Sequence, residues 1–354
     1  MSRPGRDVRC RTVPEHGVIT AAVAVSGLLC GMSRQLAYDG WRRSRHGGTG
    51  MRIGIDLGGT TVSVGLVNDH YEIVDKTESL SHCGEGAEAV TERMAGMTEQ
   101  LLQRAGNPPL SHIGLGCPGV LDRKNGVVIY SNNIQWQQVP VRQKLEERFR
   151  VPVWLENDAN CAAVGEYYAG AGRGSSSMVM VTLGTGIGGG IILGGKLYLG
   201  KHGNAGIVGH LLFRKDGREC SCQRKGCWER YASTKALLAA AGREGVFDGL
   251  SEERIDGRAF FELLEAGQEA AGRVFEEYVD YVAEGIADLV NILDPDRIVI
   301  GGGISAQRER FLIPVTEYVK KKVFFAETET ADIICSVLAN DAAVIGAAYL
   351  PEIR

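Results

Sequence analysis

The sequence predicts an α/β protein built from two similar domains. Short apolar runs typical of strands alternate with longer segments in which apolar residues recur at helical spacing. Two strand–glycine turn–strand units, at residues 51–68 and 178–193, have the same layout, as expected of two related domains. The 354 residues suffice for two sizeable cores, and 44% apolar and 23% charged residues are ordinary for a soluble globular protein.

Residues 1–50 do not have the pattern of a domain. They carry eight basic and three acidic side chains, so the rest of this chain of net charge −4 is acidic, which argues against bulk nucleic-acid binding. The apolar run at residues 17–32 lacks a clean cleavage site and is too short and glycine-interrupted to span a membrane. We expect a mostly disordered or non-native leader; the alternatives are a real flexible extension and a targeting segment.

The first glycine-rich turn follows a predicted strand that ends at Asp56. Glycine lets backbone N–H groups approach phosphate oxygens, threonine hydroxyls can donate to them, and Asp56 can hold Mg²⁺ through water. A plain β-hairpin turn is the alternative. The motif Gly-x4-Gly-Lys-Ser/Thr is absent, so this is not a P-loop. The candidate phosphate contacts are Gly58, Gly59, Thr60 and Thr61.

The next segments predict a strand at residues 71–78, a helix at 86–106 and a buried strand at 112–120 that runs into a turn ending at Gly119. Asn133 follows, and its amide offers both a donor and an acceptor, which suits a ligand rich in hydroxyl groups. The alternative is an ordinary turn asparagine. A short helix is predicted at residues 139–149.

Asp158 stands where a predicted strand, residues 151–155, gives way to an alanine-rich helix. A helix N-terminus favours a carboxylate, so one role for Asp158 is that of N-cap. The other role is general base, because a carboxylate within hydrogen-bond reach can accept the proton of an attacking hydroxyl group. Asn157 precedes it and can hold neighbouring hydroxyls.

The second glycine-rich turn follows residues 175–177, a plausible hinge, and a strand at residues 178–183. Residues 184–189 read Gly-x-Gly-x-x-Gly, the pattern of a dinucleotide-binding loop, but that loop must open a helix and the following residues predict a strand. We therefore expect a second phosphate loop, with Thr185 and Gly186 as contacts.

Four metal-ligating side chains follow with the spacing His-x9-Cys-x-Cys-x4-Cys. Imidazole and thiolates are the ligands Zn²⁺ prefers in a tetrahedral structural site, and the intervening loop has little apolar content to fold itself. Four unrelated residues are the alternative. Nine cysteines, an odd count, fit a reduced cytoplasmic setting better than a disulfide. The predicted ligands are His210, Cys220, Cys222 and Cys227.

The remainder predicts helices at residues 233–242, 260–264 and 275–293, then a strand at 296–300 and a last helix at 341–350. The strand ends in Gly301, Gly302 and Gly303, for which a simple glycine turn is the alternative to a ligand contact.

Five motifs in this order resemble the ROK family of repressors, open-reading-frame proteins and sugar kinases, over residues 51–350. The first turn also resembles the phosphate-1 loop, Asp-x-Gly-Gly-Thr, of the actin-like ATPase and hexokinase fold. Residues 157–160, Asn-Asp-Ala-Asn, match the catalytic motif of the family, and residues 210–229 match its zinc loop. Two positions depart from the family pattern: Ile207 replaces a glutamate that contacts sugar hydroxyls, and Gln223 replaces a glycine.

The resemblance implies a two-domain actin-like ATPase / ribonuclease H-like fold with an interdomain cleft. The domains would be residues 51–174 and 175–340, with residues 341–354 forming a terminal helix that packs back on the first domain. It further implies transfer of the γ-phosphoryl group of ATP to a hexose, most often glucose, with Mg²⁺ on the phosphates and a structural Zn²⁺. Asp158 would be the catalytic base, and residues 301–303 would bind adenosine. The implied sugar contacts are Gly119, Asn133, Asn157, Asp158, His210 and Glu229.

Other functions and partners stay open at this stage. The sugar could instead be allose, mannose, fructose, N-acetylglucosamine or N-acetylmannosamine, and a sugar-responsive regulator or a non-catalytic sugar binder are rivals. A regulator of this family needs a DNA-binding domain, for which residues 1–50 are too short. We expect a cytoplasmic homo-oligomer, a dimer or tetramer by the resemblance, that binds small molecules and neither nucleic acid nor membrane.

Overall fold

Two five-stranded sheets of equivalent strand order form the framework of the structure, a computed structural model that describes residues 50–324, 327 and 330–353. The predictions for residues 1–49 lie outside the described residues. In each sheet, the central strand and the two strands on one side of it pair in antiparallel fashion. The two strands on its other side run parallel to it. The alternation of strands and helices confirms the predicted α/β class.

The first sheet has the order β3-β2-β1-β4-β8 once its strands are numbered along the chain. Strands β5, β6 and β7 form a small antiparallel sheet beside it. The elements are β1 (Met51–Leu57), β2 (Thr61–Val67), β3 (Ile73–Leu80), α1 (Ala87–Arg104), β4 (Leu110–Cys117), β5 (Val120–Asp122), β6 (Val127–Ser131), β7 (Trp136–Val139), α2 (Val141–Phe149), β8 (Val153–Asn157) and α3 (Asp158–Ala169).

The second sheet repeats this arrangement as β11-β10-β9-β12-β13, so the two glycine-rich turns, β1–β2 and β9–β10, are equivalent. Its helices include one of 25 residues, α7, which is longer than the sequence pattern predicts. The elements are β9 (Met178–Leu183), β10 (Ile187–Leu193), β11 (Lys196–Leu197), α4 (Glu229–Ala232), α5 (Thr234–Arg243), α6 (Gly257–Glu265), α7 (Glu269–Leu293), β12 (Arg297–Gly301), α8 (Glu309–Lys322), β13 (Asp332–Cys335), α9 (Asp341–Ala348) and α10 (Leu350–Ile353).

A separate apolar core fills each half, and a third lies between the sheets around α3 and α9. Helix α9 lies directly on β1 and β4 because Gly54 and Gly114 carry no side chain there. A Cβ on either would collide with the carbonyl oxygens of Val344 and Ala347. The last part of the described chain thus packs against the first sheet.

Candidate active site

The carboxyl ends of three parallel strands bring the predicted catalytic residues to one edge of the first sheet. In the strand register, Asp56 of β1 lies beside Gly116 of β4, and Gly116 lies beside Glu156 of β8. Asp158 follows two residues after Glu156, at the start of α3. Burial, and then the nearby charge of Asp158, raises the pKa of Asp56 to about 7.

Asn157, not Asp158, caps helix α3. The Asn157 side-chain oxygen accepts hydrogen bonds from the N–H groups of Ala159 at 3.0 Å and Asn160 at 3.4 Å. Asp158 is the first helical residue, and its Oδ1 accepts from Ala159 N–H at 2.9 Å. Burial nevertheless raises the pKa of the Asp158 carboxyl, because desolvation outweighs the donors. The cap role weighed for Asp158 therefore falls to its neighbour, and the base role stays a prediction.

A buried ion pair supports this segment, and sequence reasoning missed it. Nε of Arg123 donates to both oxygens of the fully buried Glu156, at 2.9 and 2.8 Å. Glu156 Oε1 also accepts from the Asn157 N–H at 2.8 Å and from Asn160 Nδ2 at 2.9 Å. The signal in the sequence was a glutamate at the end of an apolar strand, which requires a cationic partner.

The first turn has the features that a phosphate loop needs. Gly58 N–H donates to Thr61 O at 2.8 Å, which closes the turn between β1 and β2. Gly59, Thr60 and Thr61 are exposed. Exposed Asn133 lies close by, since a Cβ on Gly59 would be 3.0 Å from its carbonyl oxygen. The hairpin considered as an alternative is present, and it leaves the turn open to a ligand.

The second turn also joins two strands, which excludes the dinucleotide-binding alternative because no helix follows it. Gly184 N–H donates to Gly186 O at 3.0 Å, and Thr185 is exposed. Glu229 lies next to this turn, since a Cβ on Gly186 would be 2.6 Å from Glu229 Oε2.

Strand β10 has three consecutive glycines, Gly188 to Gly190, where two functional segments pack on it. A Cβ on Gly188 or Gly190 would meet the methyl groups of Ala159 and Ala163 of α3, at 2.9 and 2.5 Å. On the other face, a Cβ on Gly189 would lie 2.7 Å from the carbonyl oxygen of Gly206. The helix that begins at Asp158 and the segment that leads to His210 therefore press on opposite faces of one strand.

The remaining predicted contacts are glycines in tight turns. Gly302, at φ 90°, packs against Leu183 at the end of β9, and Gly303 has open space around it. Gly301 is buried beside Met180. Gly119, at φ 122°, packs on the backbone of residues 130–131, which gives it a structural reason to be glycine. A contact of these glycines with nucleotide or sugar stays a prediction.

The four predicted zinc ligands converge, with their ligand atoms all within 4.8 Å of one another. Cys220 Sγ lies 3.6 Å from His210 Nδ1, and Cys222 Sγ lies 3.5 Å from Cys227 Sγ. One imidazole and three free thiols at such distances fit one tetrahedral ion. Glu229 Oε1 lies 3.1 Å from Cys220 Sγ, so the candidate sugar-binding carboxylate touches the cluster.

Backbone pairing and one buried tryptophan hold this loop on the second half of the protein. Leu212 pairs with Cys227, and Trp228 is fully buried with its Nε1 donating to Tyr281 O at 2.8 Å. Its indole lies over Gly285 of α7, where a Cβ would collide with the ring. The loop therefore has an apolar anchor at Trp228, and Arg218 fastens its middle through a hydrogen bond from its N–H to the Tyr231 hydroxyl at 2.8 Å.

Gln223 adopts the left-handed conformation, with φ 69°, at the position where the family pattern has glycine. An L-residue with a side chain pays about 1–2 kcal/mol in that region, and glycine does not. We expect Gln223→Gly to raise the free energy of unfolding by about 1 kcal/mol and to slow zinc loss to a chelator. Thermal unfolding and metal release are the measurements. Gln223→Ala is the matched control, because alanine keeps the strain; an equal gain in both variants would contradict the explanation.

The raised pKa of Asp56 predicts a pH dependence of stability. Between its ordinary value of 3.8 and about 7, the folded protein holds a proton on Asp56 that the unfolded chain has lost. The free energy of unfolding should therefore fall as pH rises through that window. Asp56→Asn should flatten this slope and melt higher than the wild type at pH 8 without ligands. Melting curves from pH 5 to 8 test it, and parallel curves for the two proteins would refute it.

The profile of the ROK family matches residues 52–353. The glucokinase of Thermotoga maritima is 36% identical over 311 residues, which cover 85% of this chain and 97% of that protein. A xylose repressor of Caldicellulosiruptor bescii is 33% identical over 307 residues, which cover 84% of this chain and 77% of the repressor.

Among solved structures, a ROK family glucokinase from Streptomyces griseus, in complex with glucose and AMPPNP, matches with a TM-score of 0.75. It is 33% identical, and the match covers 85% of this chain and 99% of that one. This likeness confirms the predicted actin-like ATPase fold. The order of the motifs, the repeated sheet and these matches agree that the chain belongs to the ROK family.

Proposed function

We propose that this protein is an ATP-dependent sugar kinase that transfers the γ-phosphoryl group of ATP to a hydroxyl group of glucose. The observation that carries the proposal is the place of Asp158 between the two glycine-rich turns. The helix that Asp158 begins contacts β10 at Gly188. The charge of its carboxylate helps to raise the pKa of Asp56, which lies beside the first turn. The glucokinases of T. maritima and S. griseus, which align over almost their whole length, support it.

In the proposed reaction, Asp158 accepts the proton of the sugar hydroxyl while its oxygen attacks the γ-phosphorus of ATP, and ADP leaves. The raised pKa of Asp158 makes it a stronger base than an ordinary aspartate. The exposed turn at Gly59 and the equivalent turn at Thr185 offer N–H groups to the phosphates. Asn133, Asn157 and Glu229 would orient the sugar.

The carboxylates of Asp56 and Asp158 make this edge of the sheet negative, which suits a hard divalent cation with oxygen ligands. Asp56 would hold Mg²⁺ through water. The ion would neutralise charge on the β- and γ-phosphates. Binding of the cation removes the proton from Asp56, so the affinity for Mg²⁺ and nucleotide should weaken as pH falls below about 7.

The donor set of one imidazole and three thiols fits Zn²⁺, and it has no open position for chemistry. We assign the zinc a structural role: it would fix the loop that carries His210 and Glu229. Glu229 Oε1 lies 3.7 Å from His210 Nδ1, so these two candidate sugar contacts would be positioned together.

We propose a cytoplasmic location, and the free thiols of the described cysteines support it. No helix in the described part of the chain is long and apolar enough to cross a bilayer. A homo-oligomeric state stays a prediction.

The similarity to xylose repressors favours a second candidate, a sugar-responsive regulator. The repressor of C. bescii aligns over only 77% of its length, compared with 97% for the T. maritima glucokinase. A kinase is therefore the better-supported function. A DNA-shift assay with and without sugars separates the two, since sugar-dependent DNA binding without ADP formation would favour the regulator.

The test of the kinase proposal is ADP formation with a panel of glucose, mannose, allose, fructose, N-acetylglucosamine and N-acetylmannosamine. We expect glucose-dependent ADP formation with Mg²⁺ and ATP. Turnover with another member of the panel alone would keep the reaction and change the sugar. No turnover with any of them would refute the proposal.

Ile207 is the position at which this chain departs most from the family pattern. Its side chain is 57% exposed, and its carbonyl oxygen accepts from His210 N–H at 3.3 Å across a short 3-10 turn. Isoleucine cannot hydrogen-bond a sugar hydroxyl, and a lost contact of that kind costs about 1–3 kcal/mol. A weaker affinity for glucose, or a preference for another sugar, would follow.

Ile207→Glu is expected to lower the KM for glucose and to leave kcat within a few-fold. The new carboxylate would accept charge-assisted hydrogen bonds from sugar hydroxyls. Repulsion by Glu229 opposes this, but the zinc and hydroxyl donors offset it. Ile207→Gln is the matched control, which keeps an acceptor without charge and should gain less. A higher KM for every hexose in the panel would mean that this site serves a different ligand.

A further inference from the structure

Helix α3 lies between the two sheets and contacts both halves of the protein. Its first residue is Asp158, and Glu166 lies two turns further on, near its other end. Ala159 and Ala163 face β10 of the second sheet. On another side, Gly165 lies against the carbonyl oxygen of Ala342 in α9, which packs on the first sheet. The direction of α3 therefore decides where Asp158 stands relative to the second turn.

The chain passes between the two sheets twice, at residues 170–177 and at residues 336–340. Both connections bind the same fully buried carboxylate, that of Glu166. Its Oε2 accepts from Ala171 N–H at 2.7 Å in the first connection. Its Oε1 accepts from Ser336 Oγ at 2.5 Å and from Leu338 N–H at 2.9 Å in the second.

The first connection, residues 170–177, is also bound to the second sheet. Ser176 and Ser177 donate their N–H groups to Asp296 Oδ2, at 2.6 and 3.0 Å, at the foot of β12. These bonds tie the predicted hinge at residues 175–177 to the second sheet. Arg297 Nη1 of β12 donates to the carbonyl oxygens of Ala171 and Arg173, both at 2.8 Å, so residues 171–173 are tied to the second sheet as well. Glu166 joins this anchored connection to α3, and Gly170 has no room for a Cβ against Glu166 Oε2.

We propose that Glu166 is a positioning residue for phosphoryl transfer: by holding both connections, it sets the direction of α3 and thereby places Asp158 against the second turn. This inference rests on the proposed kinase function. Glu166 lies eight residues after Asp158, which is about 12 Å along the helix, so a small tilt at Glu166 becomes a displacement at Asp158. A misplacement of about 1 Å can cost about 10²-fold in rate.

Both side-chain oxygens of Glu166 are required as acceptors. A carboxylate only accepts hydrogen bonds, and every partner named above is a donor. The amide of glutamine would present N–H groups to one of these donors, so Glu166→Gln loses contacts to one connection at almost unchanged volume. Ser336→Ala is a milder variant, which removes one donor to Glu166 and also the acceptor of Ala339 N–H.

The experiment measures kcat, KM for glucose and ATP, the affinity for glucose without nucleotide, and ADP released per sugar phosphate formed. We expect Glu166→Gln to lower kcat by about 10- to 100-fold, with glucose affinity changed less than about threefold. ADP released per sugar phosphate should rise, because a displaced base lets water compete. Ser336→Ala should change the same quantities in the same direction by less. It keeps the test decisive if Glu166→Gln does not fold.

The control is Asp256→Ala, which removes the N-cap of α6, where Asp256 Oδ1 accepts from Ala259 N–H at 2.8 Å. It should lower the melting temperature and leave kcat unchanged, since α6 contacts neither connection through this bond. Variants of Glu166 and Ser336 that melt early but keep the wild-type kcat and coupling would overturn the inference. A wild-type protein that phosphorylates no sugar would remove the kinase proposal, and this inference with it.

Discussion

Asp158→Asn is expected to lower kcat by about 10²–10⁴-fold, the usual effect of losing a general acid–base group, while glucose affinity stays close to that of the wild type. Asparagine has the shape of aspartate, can still accept from Ala159 N–H, and leaves the Asn157 cap untouched. The fold should therefore survive. Burial raises the pKa of Asp158, so the ionised carboxylate is less favourable in the folded protein than in the unfolded chain. Its replacement by an amide should therefore leave the melting temperature unchanged or raise it.

A second consequence separates loss of the base from general damage. The charge of Asp158 helps to raise the pKa of Asp56 to about 7, so Asp158→Asn should bring that pKa down and flatten the dependence of the melting temperature on pH. Steady-state kinetics, glucose titration calorimetry and melting curves from pH 5 to 8 make the test. Near-normal turnover in this variant would place the base elsewhere.

Cys222→Ser should release the zinc and unfold the loop that carries His210 and Glu229. Structural zinc sites in small peptides contribute about 10–16 kcal/mol to folding. The other supports of the loop are weaker: Arg218 binds Tyr231 and Arg230, and Glu219 pairs with Lys225. The buried Trp228 remains, so we expect local unfolding, a lower melting temperature and a large rise in the KM for glucose. Metal analysis should find one zinc per wild-type chain and almost none in the variant.

Cys335→Ala is the matched control, because it removes a buried thiol of β13 that lies outside the cluster. It should keep the full zinc content and the wild-type KM. A strong chelator should lower the melting temperature of the wild type to that of Cys222→Ser. The same chelator should leave the melting temperature of Cys222→Ser unchanged. Freshly purified, reduced wild-type protein that contains no zinc would refute the metal assignment.

Features that depend on nearby residues were predictable from the sequence. Alternating apolar residues predicted β1 and β2, and the glycines between them predicted a tight open turn. The convergence of His210 with the three cysteines was predictable because their spacing is local. The start of α3 was predicted within a few residues, but the choice of Asn157 over Asp158 as its cap depends on which side chain points back over the first turn, and sequence does not specify that.

Features that depend on distant residues were not predictable. Arg123 and Glu156 are 33 positions apart, and Glu166 meets Ser336 across 170. A glutamate at the end of an apolar strand indicates that Glu156 needs a cationic partner, but no local pattern identifies that partner. The sequence analysis also did not predict α8 or β13, although Phe311, Val315 and Val319 of α8 recur at helical spacing. The residues that hold the site in place were thus harder to predict from the sequence than the residues expected to bind substrate or act in catalysis.

The glycines of β10 have a consequence for how acceptor preference can change. Gly188, Gly189 and Gly190 leave no side chain to vary where α3 and residues 206–208 meet the strand. Any larger residue would force these segments apart, so substitutions in the strand cannot produce a new sugar specificity without disturbing the packing. Diversification must come from the flanking loops, and Ile207 is such a change already present in this chain. A library that seeks a different sugar should therefore randomise residues 204, 205 and 207, and keep both the strand and Gly206, which at φ 86° packs against Gly189.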